Sequence, residues 1–106
     1  MAKFVDQARI DEERKRGIWP DRVITDYVDG WLAEKLDAAA VIAFRAGDGS
    51  TARLSYGALN DAAARIARNL SGLGIGPGDV VSMQLPNWWQ FVAVHLACVR
   101  IGAATN

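Results

Sequence analysis

The chain has 106 residues, 51% of them hydrophobic, which is enough apolar material for one small domain or part of a larger one and excludes a disordered segment. Twelve Lys and Arg balance twelve Asp and Glu, so no excess charge draws the chain to nucleic acid or to an acidic membrane surface. The longest apolar runs, Ala38 to Phe44 and Phe91 to Val99, fall well short of the roughly 20 residues that cross a bilayer, and the single cysteine, Cys98, has no internal disulfide partner. With no apolar stretch behind Arg9, Arg14, Lys15 and Arg16, the start does not read as a secretory signal, and a cytoplasmic setting is the default expectation.

Residues 1–20 read as a charged lead-in helix, with Asp11 spaced to meet Lys15 and Glu12 to meet Arg16, ending at Gly17 and Pro20. Thr25 is the expected N-cap of a second helix in which Asp26 occupies the first turn and Val28, Trp31, Leu32 and Lys35 share a face. Ala40 to Phe44 then reads as a short strand, Gly47, Asp48 and Gly49 as a turn, and Thr51 to Leu54 as the returning strand of a hairpin.

Ser55 is placed to cap the next helix, with Leu54 and Leu59 in the two positions of a hydrophobic staple. Leu59, Ala63, Ile66, Leu70 and Leu73 recur at spacings of three and four, and Gly72 with Gly74 supplies the stop. Pro77 and Gly78 suit a type II turn. A strand is expected from Val80 to Leu85, and Asn87 with Gln90 suggests the cap of a helix from Trp88 to Ile101. That helix is apolar nearly all round, so burial on more than one side is expected. Ala103 begins another strand, and a parallel crossover requires this strand to pair in the same sheet as the first.

The chemical motifs are weak. Gly72, Gly74, Gly76 and Gly78 lie between a helix and a strand, whereas phosphate loops run from strand into helix, so the cluster reads as turn chemistry and counts against a flavodoxin-type nucleotide domain. His95 and Cys98 are three apart, yet two ligands do not make a tetrahedral metal site, and no third group orients them for nucleophilic catalysis. Asn69-Leu70-Ser71 matches a glycosylation acceptor but falls inside the expected helix. Trp88 and Trp89 could stack on a ligand at their corner; the alternative is that one packs inward while the other covers the helix start.

The order of these segments carries more than any one of them. Leu54 to Leu59, Leu73 to Val81, Gln84 to Asn87 and Arg100 to Ala103 occur in register, and from Gly17 to Asn106 the sequence resembles the start of the AMP-forming acyl-CoA ligases. The tract Gly17 to Asp29 and the Asn87-Trp88-Trp89 corner resemble cyclohexanecarboxylate-CoA and medium-chain ligases in particular. Ala58 departs from a common glutamate, removing the reciprocal half of a capping box.

The resemblance implies an α/β fold, with 21–106 an incomplete part of a large N-terminal domain behind a lead-in at 1–20. It implies a parent enzyme that joins a carboxylic acid to ATP as an acyl-adenylate and then to coenzyme A, with magnesium on the phosphates. The family's phosphate loop, ribose-binding aspartate and lysine all belong beyond Asn106, so no catalytic, cofactor-binding or metal-binding residue is assigned in this chain, and no cofactor is expected on it alone. The alternative is a self-contained interaction module using the apolar last helix. Because that helix and the expected strand edges need cover, the isolated chain is expected to form a homodimer or to exchange elements between copies.

Overall fold

The computed structural model describes residues 6–106, and the part of the charged lead-in at 1–5 lies outside the described residues. Helix α1 spans Gln7–Lys15, started by the Asp6 carboxylate, which accepts the Ala8 N–H at 3.1 Å. None of its residues is buried. Its ion pairs differ from the expected ones: Arg16 meets Glu13 at 3.3 Å and Arg14 reaches Asp21 beyond the helix at 3.1 Å. On an open helix face these pairings are close in energy, each contributing about 1 kcal/mol or less.

Helix α2, Ile24–Glu34, begins before the expected cap. Val23 is the N-cap rather than Thr25, because the Asp26 carboxylate reaches back to the Val23 N–H at 2.8 Å and so satisfies an orphan donor from the third helical position. Val28 turns into the core, while Tyr27, Trp31 and Tyr56 form a chain of tilted rings with centroids 6.4 and 5.9 Å apart.

Strands β1 (Ala39–Phe44) and β2 (Thr51–Ser55) form the expected antiparallel hairpin, with an irregularity between Ala39 and Val41. Its tip closes on Gly49, whose φ of 69° an L side chain rarely adopts. The hairpin hands directly into helix α3, Tyr56–Gly72, where Ser55 Oγ accepts the Ala58 N–H at 3.0 Å as the cap. Leu59, Ala63 and Ala67 are buried, with Leu54 and Ile66 against them. Leu73 leaves this stripe: it is the C-cap and is 78% exposed, since Gly74, not Gly72, takes the left-handed turn at φ 88°. The bonds Gly74 N–H to Ser71 O and Ile75 N–H to Leu70 O complete a Schellman stop.

The turn Gly76-Pro77-Gly78-Asp79 is closed by Asp79 N–H to Gly76 O at 3.1 Å, with Gly78 at φ 88° as a type II turn requires. The Asp79 carboxylate accepts the Gly76 N–H at 2.8 Å, which makes Asp79 a brace of the turn. Strand β3 is Val80–Val81, shorter than the expected run to Leu85, and beyond it Met83 N–H still reaches Asn106 O at 2.9 Å. Helix α4, Trp89–Arg100, crosses back to strand β4, Ala104–Thr105, which pairs parallel with β3. Its N-cap is Trp88, not Asn87: Trp88 holds the extended geometry of a cap at φ −128° and ψ 173°, one residue later than expected, and its indole offers no oxygen to accept the first helical N–H groups, while its own N–H goes to the Pro86 carbonyl at 2.7 Å.

Ala93, Leu96, Ala97 and Cys98 are buried, spread over more than half of α4's circumference, while Phe91, Val92 and His95 stay exposed. The core is therefore the α3–α4 seam, closed by Val28, Ala40, Val41, Trp89 and Ile101. Helix α4 ends in a second Schellman stop at Gly102, φ 78°, with Ala103 N–H on Cys98 O at 2.9 Å. A Cβ on Gly102 would lie 3.1 Å from Pro77 Cγ.

This contact sets up a paired comparison. Gly49 shares the left-handed backbone but has open space where its Cβ would go, so Gly49→Ala should cost about 1 kcal/mol of conformational strain. Gly102→Ala should lower the urea midpoint further at unchanged slope, by the added clash. Equal shifts for the two would show that Pro77 yields freely.

Candidate functional site

Two corners of the fold bring polar and aromatic groups together. At the first, the hairpin tip presents Arg45 over the ring of Trp88, with the guanidinium carbon 4.7 Å from the ring centroid. Arg45 also reaches Asp48 at 3.7 Å. The Ser50 hydroxyl and then its backbone N–H, donating at 2.6 and 2.9 Å, hold the Asp48 carboxyl below its ordinary range, with Arg45 adding attraction. Leu85, Pro86 and Gln90 complete a cleft of about 250 Å³. Both tryptophans are half-buried: Trp89 packs against the core, while Trp88 lies under Arg45 and covers the helix start.

At the second corner Arg100 donates to Asp29 at 2.8 Å and to Asn60 at 3.1 Å, tying α4 to α2 and α3. The Arg45–Asp48–Ser50 group is local to the hairpin tip, but local spacing announces neither the Arg45–Trp88 stack nor the Arg100 contacts, whose partners are 71 and 40 residues away.

His95 and Cys98 diverge. His95 Nδ1 shares a hydrogen bond with Thr105 Oγ1 at 2.8 Å, pinning α4 to β4, whereas Cys98 is fully buried. Burial pushes the Cys98 thiol up, the reverse of what a nucleophile needs. Among the described residues no three His, Cys, Asp or Glu side chains gather in a metal-binding group. The glycine cluster links α3 to β3, helix to strand, and its amides go into the Schellman stop and the Asp79-braced turn. Asn69-Leu70-Ser71 lies in α3. No helix among the described residues is long and apolar enough to cross a membrane.

A hairpin, a capped helix and a parallel crossover make an α/β unit, and its glycine cluster runs from helix into strand, the reverse of a phosphate loop. The model of the AMP-binding enzyme family matches residues 28–106, and the chain belongs to that family. It is 40% identical over 94 residues to a salicylyl-CoA synthase/salicylate adenylyltransferase of Streptomyces sp, covering 89% of this chain and 16% of that protein. It is 35% identical over 92 residues to the medium-chain fatty-acid–CoA ligase of Escherichia coli (strain K12), covering 87% of this chain and 15% of that one. The Mycobacterium smegmatis MbtA apo structure superimposes with a TM-score of 0.80 at 31% identity over 95% of this chain and 18% of its own. A Brucella canis acyl-CoA synthetase follows with a TM-score of 0.61 at 35% identity, covering 65% and 12%. The chain thus spans about a sixth of the length of the curated relatives it matches. These likenesses bear out the resemblance seen in the sequence and give no support to a self-contained interaction module.

The buried thiol yields a test. Cys98 should resist a disulfide reagent in the folded chain and react fully in denaturant. Its raised folded-state pKa favours folding at neutral pH, and that contribution falls as pH rises past the ordinary thiol value of about 8.5. Unfolding measured from pH 7 to 9.5 should therefore show a declining stability whose slope Cys98→Ala reduces; rapid labelling of the native chain would contradict the burial.

Proposed function

We propose that this chain is the scaffold-bearing opening of an acyl-CoA ligase, with 1–20 a lead-in and 21–106 part of the large N-terminal domain. The parent activates a carboxylic acid with ATP to an acyl-adenylate, with magnesium on the phosphates, and transfers the acyl group to coenzyme A. The observation that carries this reading is the family match over 28–106 together with its small share of each relative. On this reading the chain supplies strands, helices and turns, and the catalytic, cofactor-binding and metal-binding groups lie elsewhere in the polypeptide. Three of the charged groups it holds brace the architecture: Arg100 on Asp29 and Asn60, Arg45 on Trp88, and Asp79 on its own turn. Preorganised donors around a transferring phosphate, which such chemistry requires, have to come from other segments. The substrate is written as a carboxylic acid and no further, since relatives of similar identity are named for salicylate and for medium-chain fatty acids. The setting proposed is the cytoplasm.

Carboxylate-dependent exchange of pyrophosphate into ATP tests this directly. The complete gene product should show it with at least one member of a panel of aliphatic and aromatic acids, and the pure 106-residue chain should show none. Exchange by the short chain would place catalytic groups within it, and none by the complete protein across the panel would remove the ligase reading.

The same reading makes the isolated chain a self-associating one, as a homodimer or through exchanged elements. Phe44 is 73% exposed and Val80 63%, with Phe91 and Val92 also open on α4. Fully burying one such side chain contributes about 1.5 to 3 kcal/mol, large against the roughly 5 to 15 kcal/mol of a small domain. Although β3 and β4 pair with each other, they form a two-strand sheet with outer edges open to a further strand. Light scattering coupled to size exclusion should give a mass near twice the 11.5 kDa of one chain at micromolar concentration; a monodisperse single-chain mass would refute self-association.

A further inference from the structure

We infer that α2 is a hinged arm, tethered at its C-terminal end, where Trp31 also rests on Tyr56, and held down beyond that by the Val28 contact and the polar latch of Arg100 on Asp29. At the tether the chain is well fixed. Gly57 N–H donates to Leu36 O and Tyr56 N–H to Ala38 O, both at 3.0 Å, and Leu36 Cδ1 would lie only 3.2 Å from a Cβ on Gly57. Lys35, between helix and tether, has left helical geometry at φ −137° and ψ 41°, which makes it the pivot.

Along the rest of α2 the hold is slight. None of its residues is buried, Val28 is the one among them that packs against the buried core cluster, and the other apolar contact, Trp31 on the Tyr56 ring at 5.9 Å between centroids, sits beside the tether. The seam beneath it is unfilled: Ile24 and Val28 face Leu59, Val92, Leu96 and Val99 across an apolar gap of about 150 Å³. Side chains bordering a gap lose the dispersion contacts that close packing supplies, so this seam adheres less than the alanine-lined one between α3 and α4. Upstream, 16–23 is exposed throughout and α1 buries nothing, so neither restrains the free end of α2.

The latch is balanced between closed and open. Arg100 sits at 24% side-chain exposure with its Asp29 partner at 55%, so the 2.8 Å pair is only partly shielded from water. Closure also leaves Arg100 Nε buried without a hydrogen-bond acceptor. Leaving such a donor unpaired opposes closure, and opening returns it to solvent while Asn60 keeps its hold on the guanidinium. The geometry therefore favours an opening of α2 about Lys35 that leaves α3, α4 and the hairpin intact.

Native-state hydrogen exchange on the 106-residue chain, read amide by amide, tests this with Asp29→Asn as the variant, a near-isosteric change at an exposed position. In the wild type, amides from Val28 to Glu34 should be at least about tenfold less protected than those of Ala63, Ala67, Ala93 and Ala97, the mark of a local opening. In Asp29→Asn the α2 amides should exchange about two- to fivefold faster still, with α3 and α4 unchanged. Equal protection of the three helices in the wild type would overturn the arm. A variant that accelerates all three alike, or none, would overturn the latch. Absence of protection in all three would overturn both, since no seam would then be closed.

Discussion

Four alanines govern this structure. Ala63 and Ala67 on α3 and Ala93 and Ala97 on α4 are all buried, and their small side chains let two helices from separate supersecondary units approach closely. The consequences spread outward from that seam. Helix α3 is capped by the last residue of the β1–β2 hairpin, so fixing α3 fixes the hairpin. Helix α4 connects β3 to β4, so fixing α4 sets the crossover. Larger residues at these positions would push the helices apart and separate the two small sheets from their common support.

The second constraint is the pair of glycine stops. Helices α3 and α4 each end in a Schellman turn, at Gly74 and at Gly102, and each is followed within a few residues by a strand of the same parallel pair. Gly102 then packs on Pro77, the first central residue of the turn that launches β3. Two helix ends and one proline turn thus meet at a single point and bring Val80 opposite Ala104. A family fragment rich in glycine here invites a phosphate-binding interpretation, but the glycines are used to stop helices and to let backbones come together.

This distribution fits the place of the chain in its family. The polar groups that are well positioned are engaged with each other: Arg100 with Asp29 and Asn60, Asp48 with Ser50, Asp79 with the Gly76 amide and His95 with Thr105. A side chain already committed to a brace is a poor candidate for chemistry that needs a group facing substrate. Among the described residues the buried side-chain atom left without a partner, Arg100 Nε, belongs to the side chain that ties α4 to α2 and α3.

From the sequence alone, the hairpin, the Ser55 cap, the α3 stripe as far as Leu70, the type II turn at Pro77-Gly78 and the family followed, because each depends on residues within a few positions of one another. The split of Trp88 from Trp89 was legible as one of two alternatives. The misplaced features depend on distant or backbone partners. Val23 displaced Thr25 as a cap through the reach of one carboxylate, Trp88 rather than Asn87 took the extended cap geometry of α4, and β3 pairs with β4 at Val80 and Val81 rather than along the whole apolar run. The Arg100 clasp and the Arg45–Trp88 stack were invisible for the same reason: residues up to 71 positions apart meet only after α3 and α4 have closed on their alanines. Local chemistry determined the elements and their ends, and tertiary packing alone decided which charges face which, because only packing brings distant segments within reach of a hydrogen bond.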